Sequence, residues 1–171
     1  SVMADASNTN TLFTSRGMTV ATNGSRWIAG GKGDNTGYNR VLGYSDNNGQ
    51  TWNRVDDAVS NTFNEIYGSY YDGSKFWISG TASGVKLAHS TDGLTWTLIN
   101  GDYYIKSRGF IHFDNYLIGV GDTLAQYNIA YSDQNGLDGT WSAVLNSKTE
   151  IFTTNAYGLA YRPPDPTPPP P

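Results

Sequence analysis

The 171-residue chain contains no cysteine and only two histidines. The lack of cysteine excludes disulfide bridges, cysteine-ligated zinc and a thiol nucleophile. His89 and His112 lie in apolar, strand-like segments with no carboxylate cluster nearby, so they do not make a metal site. The sequence therefore predicts neither a metal ion nor another cofactor.

Charge is also sparse, and charged residues make up 15% of the chain with a net charge of −4. A nucleic-acid binder needs a cationic face to neutralise phosphates, and no run of five basic residues occurs. No apolar stretch approaches the roughly 18 residues that a membrane-spanning helix requires. The sequence therefore predicts no nucleic-acid partner and no membrane insertion.

Glycine and aromatic residues are plentiful, with 20 glycines and an aromatic content of 13%. This composition favours short strands joined by tight turns over long helices. The dipeptides Asn23-Gly24 and Asp72-Gly73 are typical of hairpin turns, because glycine accepts the positive φ that such turns require. The predicted fold class is all-β.

The sequence contains three similar units between residues 17 and 145. Each unit contains four short apolar or alternating runs and closes on Thr-Trp. The closing tryptophans Trp52, Trp96 and Trp141 recur after 44 and then 45 positions. Four strands in about 40–45 residues is the size of one propeller blade. We therefore expect a β-propeller or partial propeller of three four-stranded blades plus a strand of a fourth.

The turn between the third and fourth strands of each unit resembles an Asp box, whose family pattern is Ser-x-Asp-x-Gly-x-Thr-Trp. Segment 90–96 is one residue short of this pattern, 45–52 has asparagine at the aspartate position, and 132–141 is two residues longer. Residues 17–145 thus resemble the Asp-box (BNR-like) repeat propellers. The structural residues of the boxes are Ser45, Asn47, Thr51, Trp52, Ser90, Asp92, Thr95, Trp96, Ser132, Thr140 and Trp141.

The chemistry of these boxes is structural. The Asp or Asn oxygen can accept backbone N–H groups that a tight turn leaves unpaired. The Ser and Thr hydroxyls can pair across the hairpin, and the tryptophan fills the space between neighbouring sheets. The family resemblance implies that these turns lie on the side of the propeller away from the functional face.

The chain ends suggest how the blades are completed. Segment 157–161 resembles the first strand of the second unit, so we expect the propeller domain to span 17–161. Residues 1–16 could complete a blade, and 162–171 form a proline-rich tail expected to adopt polyproline II. Closure by the termini, pooling of units between two chains and an open arc capped by neighbours all remain open. Self-assembly is favoured over a closed monomer.

The Asp boxes invite comparison with sialidases, and this resemblance implies an arginine trio, an aspartate acid/base and a Tyr–Glu nucleophile pair. The six arginines are scattered across different strands and loops, and the only glutamates are Glu65 and Glu150. Glycoside hydrolysis needs two carboxylates about 5–10 Å apart. The sequence therefore predicts a sialidase-like scaffold without the catalytic residues, and not an enzyme.

The remaining chemistry is recognition. In a propeller the loops between strands two and three share one face with the loops between blades. Aromatic and polar residues cluster there, in a composition that suits sugars and also protein partners. The candidate ligand-binding residues are Tyr38, Asn39, Arg40, Tyr103, Tyr104, Lys106 and Arg108.

We therefore expect a non-catalytic structural or recognition module, displayed outside the cell or on a virion, where similar short repeats occur. The expected partners are further copies of the chain or assembly neighbours, and a cell-surface carbohydrate is the expected ligand. The alternative is a fragment of a larger propeller glycosidase with its catalytic blades elsewhere. A paired carboxylate with a perturbed pKa at the centre of the ring would favour that alternative.

Overall fold

The computed structural model describes residues 12–13, 15–33, 41–58, 60–82, 84–99, 105–123, 127–134, 136 and 139–145. The predicted fourth-blade strand at 157–161 and the proline-rich tail lie outside these residues. Among the described residues no helix is both long and apolar enough to cross a membrane. The strands are β1 (Arg16–Thr22), β2 (Trp27–Lys32), β3 (Leu42–Ser45), β4 (Asn53–Arg54), β5 (Glu65–Tyr71), β6 (Phe76–Ala82), β7 (Gly84–Ser90), β8 (Thr97–Leu98), β9 (Ile105–Phe113), β10 (Tyr116–Thr123), β11 (Ile129–Ser132) and β12 (Trp141–Ala143), with a 3₁₀ turn at Ser60–Thr62.

The strands form three antiparallel four-stranded meanders, here called blades 1, 2 and 3. Blade 1 consists of β1–β4, blade 2 of β5–β8 and blade 3 of β9–β12, each paired in sequence order. One backbone pairing, between Lys32 and Glu65, links blade 1 to blade 2. The predicted all-β fold is confirmed, and the architecture is that of a partial β-propeller.

The first strands of the three blades, β1, β5 and β9, lie next to one another. The Oγ1 atom of Thr19 is 2.7 Å from the Ser69 hydroxyl and accepts the Ser69 amide at 2.8 Å. One blade further on, the Ser107 amide donates to the Ser79 hydroxyl at 3.0 Å. Small polar side chains thus join neighbouring blades close to the propeller axis.

Two apolar cores fill the spaces between the blades. Strand β6 contributes to both, because successive side chains of a strand point to opposite faces. Phe76 and Ile78 enter the core between blades 1 and 2, while Trp77 enters the core between blades 2 and 3. Trp96 packs in the first core and Trp141 in the second. Blade 2 is therefore held on both faces.

The face of blade 1 that points away from blade 2 carries a smaller cluster. Trp52 and Ala29 pack there against Leu12 and Phe13, which are 1% and 9% exposed. Leu12 lies directly over Gly43 in β3, where there is no room for a larger side chain. The described residues of the N-terminal segment therefore cover the outer part of this face.

The three turns that resemble Asp boxes, here called the Asp-box turns, are held by side-chain hydrogen bonds. Asp92 Oδ1 accepts the Leu94 and Thr95 amides, both at 2.8 Å, and the Ser90 hydroxyl at 2.8 Å. In blade 1, Asn47 Oδ1 accepts the Thr51 amide at 2.9 Å. One side-chain oxygen thus satisfies donors that the turn leaves unpaired, and asparagine serves as well as aspartate.

The Ser–Thr pairing expected across each hairpin occurs in blade 3, where the Ser132 and Thr140 hydroxyls are 2.6 Å apart. In blades 1 and 2 the serine hydroxyl instead donates to Asn47 or Asp92. The difference follows from sequence, because the third turn has Gln134 where the others place Asn or Asp, so its serine bonds to threonine.

Arg26 fastens blade 1 to the turn of blade 2. Its guanidinium donates to both carboxylate oxygens of Asp46, at 2.6 and 2.9 Å, and to the Asp92 carbonyl at 2.6 Å. It also lies 5.1 Å from the centroid of the Tyr44 ring. A bidentate pair of this geometry is more specific than an ordinary surface ion pair. The contact to Asp92 adds an inter-blade bond on the side of the Asp-box turns.

We expect Asp92→Asn to reduce the loss of stability on acidification. Burial alone would raise the pKa of Asp92, but hydrogen bonds from the Thr95 and Leu94 amides and from Ser90 outweigh it, and the pKa is lowered. A carboxyl with a lowered folded-state pKa stabilises the fold above about pH 4, and this contribution disappears as the pH falls through the folded pKa. The amide of an asparagine at position 92, like that of Asn47 in the first turn, does not titrate in this pH range.

The measurement is the difference in Tm between pH 7 and pH 3 for the wild type and the variant. Asp133→Asn, at an exposed position in the third turn, is the matched control. A variant that loses as much Tm as the wild type would contradict the assigned role of Asp92.

Candidate functional site

Each first strand carries a β-bulge at the same register. Pairing skips one residue in each strand, and the skipped residues are Met18, Tyr67 and Arg108. A bulge leaves its extra residue unpaired and redirects the side chain, which is why bulges are frequent beside functional sites. The repeat thus places three different side chains at equivalent positions beside the axis.

Glycine stands opposite each bulge on the second strand of the blade. A Cβ atom on Gly31 would overlap the carbonyl oxygen of Arg16, and one on Gly80 would overlap that of Glu65. The bulge therefore depends on glycine in the partner strand. This packing explains the glycine at position 31 of the glycine-rich segment 30–33.

A polar cluster surrounds the bulges of blades 2 and 3. The Glu65 carboxylate accepts the Tyr67 hydroxyl and forms an ion pair with Lys32 of blade 1. The Arg108 guanidinium lies 5.1 Å from the centroid of the Tyr67 ring. Arg16 also acts electrostatically on Glu65. We call Arg16, Lys32, Glu65, Tyr67 and Arg108 the axial cluster.

The charge states of the cluster follow from its contacts. Burial alone would raise the pKa of Glu65, but the hydrogen bonds from Lys32 and Tyr67 outweigh it, and the pKa is lowered. Burial, and then the neighbouring Glu65, raise the pKa of Tyr67. At neutral pH Glu65 is therefore a carboxylate and Tyr67 a neutral phenol.

The axial cluster is positively charged overall. Arg16, Lys32 and Arg108 contribute three cations and Glu65 one carboxylate, so the cluster has a net charge of +2, whereas the chain as a whole has −4. The Lys32 and Glu65 side chains are 35% and 12% exposed, so the pair is partly withdrawn from water. Partial burial strengthens the field that a bound anionic group would experience.

The cluster and the Asp-box turns lie at opposite ends of the strands. Lys32 is the last residue of β2, while Arg16 and Glu65 are the first residues of β1 and β5. Ser45, where the first Asp-box turn begins, pairs instead with Trp27 at the start of β2. The cluster therefore lies at the end from which the inter-blade loops reach the first strands, the end predicted to be functional.

Of the predicted ligand-binding residues, the structure brings Arg108 into the cluster. Lys106 lies two residues earlier in β9, at a register position opposite Asp122. The remaining candidates, Tyr38, Asn39, Arg40, Tyr103 and Tyr104, lie outside the described residues. Sequence analysis missed Tyr67, Lys32 and Arg16. Alignment of the three units could have found Tyr67, since it matches Arg108 and Met18.

Two other features of the described residues add no second site. They contain no group of three or more His, Asp or Glu side chains able to hold a metal ion. A cavity of about 280 Å³ at the other end of the blades is lined by Asp72, Ser74, Lys75 and His112. Asp72 is already occupied there, because it accepts the Trp77 indole N–H and the Lys75 amide, both at 2.7 Å.

Comparison with known proteins supports the fold. No protein-family model matches the chain, and no curated protein matches it. Among solved structures it is similar to the one described as "YCF48 bound to D1 peptide", a β-propeller, with a TM-score of 0.56 and 17% sequence identity. The match covers 77% of this chain and 40% of the similar protein, so this chain spans less than half of the length of that protein. Membership of the Asp-box family stays a prediction.

Proposed function

We propose that the chain is a non-catalytic recognition module whose ligand binds at the axial cluster through a carboxylate group. The observation that carries this proposal is the excess of positive charge beside Tyr67, at the bulges where three blades meet. A guanidinium presents planar donors that match a carboxylate. Arg108 sits on an aromatic ring next to Lys32 and Glu65, so cation, apolar surface and hydrogen-bonding groups adjoin one another.

The ligand class we propose is an acidic glycan. Sugar C–H groups pack on aromatic rings, and a carboxylate on the sugar would pair with the cations of the cluster. An extracellular or virion-surface setting, as expected from the sequence, is part of this proposal. The similar structure is described as bound to a peptide, so an acidic peptide is the comparison ligand.

We expect Arg108→Gln to weaken binding of a carboxylate-bearing oligosaccharide about 10- to 100-fold, because a hydrogen bond to a charged group contributes about 1.5–3 kcal/mol. Titration calorimetry would measure this after a glycan array has identified the oligosaccharide. Lys75→Gln is the matched control, since Lys75 is a cation at the opposite end of blade 2. Circular dichroism would verify that both variants are folded.

The methyl ester of the same oligosaccharide tests the role of charge. We expect the ester to bind at least tenfold more weakly, and binding of the acid to fall with rising salt. Equal affinity for acid and ester, or full affinity of Arg108→Gln, would contradict the proposal. Binding of an acidic peptide without binding of any glycan would overturn the ligand class while retaining the site.

The Tyr67–Glu65 contact favours the glycosidase alternative as a second candidate function. It is a hydrogen-bonded Tyr–Glu pair near the axis, which the sialidase resemblance requires of a nucleophile. Two observations weigh against it. Lys32 pairs with Glu65 and helps to lower its pKa, which makes the carboxylate a weaker base. The groups whose contacts lower this pKa are Lys32, Tyr67 and Arg16, and none of them is the second carboxyl group that glycoside hydrolysis ordinarily uses.

Hydrolysis of aryl glycosides of acidic sugars separates the two functions. Turnover that is abolished in Tyr67→Phe and retained in Lys75→Gln would establish the glycosidase. Binding of the same sugars without turnover supports the recognition module.

A further inference from the structure

Blade 1 leaves open a face that blades 2 and 3 cover. We call the side of each blade that meets the preceding blade its leading face. Phe110, Ser69 and Val20 occupy the same register position on the leading faces of blades 3, 2 and 1. The preceding blade covers the first two positions, since Phe110 is 7% exposed and Ser69 is hydrogen-bonded to Thr19. Val20 has no such cover and is 53% exposed. The three residues are equivalent because they pair with Ala29, Ile78 and Gly119 at matching positions of the second strands.

A groove lies beside Val20. It has a volume of about 630 Å³, and its walls include Phe13, Met18, Ala29 and Trp52. Leu12 and Phe13 cover the outer part of the leading face, toward Gly43 in β3. The open part is therefore next to the first strand, where blades 2 and 3 make their closest contacts with the preceding blade.

Blade 3 leaves the opposite side open, which we call the trailing face. Ile28 of blade 1 and Trp77 of blade 2 are 0% and 1% exposed on this side, because the next blade covers them. Ile118 holds the equivalent position in blade 3, opposite Tyr131, and is only partly buried. Tyr116 is 44% exposed and lies 6.3 Å from the Tyr131 ring, which extends the apolar surface.

The two open faces are the two halves of one type of interface. Within the chain, trailing faces meet leading faces twice, through cores that bury Ile28 with Phe76 and Trp77 with Leu117. Both open faces are apolar, as a further interface of this type requires. A blade of this protein is the partner that their shape and chemistry fit.

We propose that a second copy of the chain packs its trailing face on the leading face of the first, head to tail, and that two copies close one six-bladed ring. Propellers typically contain four to eight blades. One copy supplies three described blades, two copies six and three copies nine, so two copies fall in the usual range. Such an interface is heterologous and closes because the rotation returns to its start. The inference does not depend on the proposed ligand.

The absence of cysteine allows a direct test with the full chain. Val20→Cys and Ile118→Cys each introduce a single thiol, one on each open face. We expect a short bis-maleimide to link an equilibrated mixture of the two variants into a species of twice 18.6 kDa. Neither variant should form this species alone, because the two copies of each thiol lie at different interfaces.

Other cross-linking results would overturn the proposal. Cross-linking of Val20→Cys with itself would show that two leading faces meet. An absence of cross-links together with a monomeric mass would show that the open faces are covered within one chain, for example by residues 146–171.

Val20→Arg provides a second test, by light scattering on a size-exclusion column. We expect a dimeric wild type and at least a tenfold increase in the dimer dissociation constant of the variant, because a cation would be buried in an apolar contact. Gln50→Arg adds the same charge at an exposed position in the first Asp-box turn and should remain dimeric. A dimeric Val20→Arg chain with the wild-type dissociation constant would contradict the proposed interface. Circular dichroism would verify that both variants are folded.

Discussion

Replacement of Trp77 by alanine is expected to lower the free energy of unfolding by about 3–5 kcal/mol, the cost of truncating a buried aromatic side chain. Trp77 is 1% exposed and packs in the core between blades 2 and 3 with Leu87, Phe110 and Leu117. Its indole N–H donates to Asp72 at 2.7 Å. The substitution therefore creates a cavity at an inter-blade contact and also removes a hydrogen bond from a partly buried carboxylate.

Urea denaturation followed by far-UV circular dichroism would measure this loss. Trp52→Ala is the comparison, with both tryptophan variants made in the Val20→Arg background, in which no second copy covers the leading face of blade 1. Trp52 is 8% exposed and packs on that face, where Val20 and the groove are open in the single chain. We expect a smaller loss there, since fewer atoms surround the cavity. Equal losses at the two positions would show that blade 2 is not the more firmly held blade.

Gly68→Ala is expected to destabilise the chain by about 3 kcal/mol, at the upper end of overpacking effects. A Cβ atom at this position would overlap the backbone carbonyl oxygen of Ser107 in blade 3. Backbone cannot move aside as a flexible side chain can, so β5 and β9 would have to separate. Gly68 directly follows Tyr67, so a separation of β5 from β9 would also move the Tyr67 ring away from Arg108.

The control is Gly73→Ala, in the β5–β6 turn. Gly73 has a φ of 100° and no atom within 4 Å of an added Cβ, so this variant has only the strain of the left-handed backbone, about 1–2 kcal/mol. If the proposed acidic oligosaccharide binds at the axial cluster, we expect Gly68→Ala alone to lose that binding, since only this substitution disturbs the cluster. Retention of wild-type binding would show that the spacing of β5 and β9 does not set the site.

The blades could be predicted from sequence because their signals are local. Asn23-Gly24 and Asp72-Gly73 mark hairpins between neighbouring strands, and the structure pairs β1 with β2 and β5 with β6 across them. The recurring Thr-Trp sequences mark the ends of the Asp-box turns. Because each blade pairs only consecutive strands, the order of runs along the chain is also the order of strands in space.

The axial cluster could not be predicted in the same way, because its contacts cross between blades. Glu65 is partnered by Lys32 of the preceding blade, and Tyr67 meets Arg108 of the following one. These pairs are separated by 33 and 41 positions along the sequence (65 − 32 and 108 − 67). They meet only because the first strands pack side by side and each bulge redirects one side chain, and neither property can be read from one strand alone.

The bulges have a consequence for how such a surface can diversify. Met18, Tyr67 and Arg108 share one backbone position, at which the register between the first two strands of each blade shifts by one residue. The proposed ligand-binding side chains of Tyr67 and Arg108 therefore lie at irregular positions of their strands. A library varied at these three positions would combine different charges, sizes and aromatic groups on one arrangement of strands. Each blade would then contribute one side chain to the proposed recognition surface, and that side chain could be varied separately from the other two.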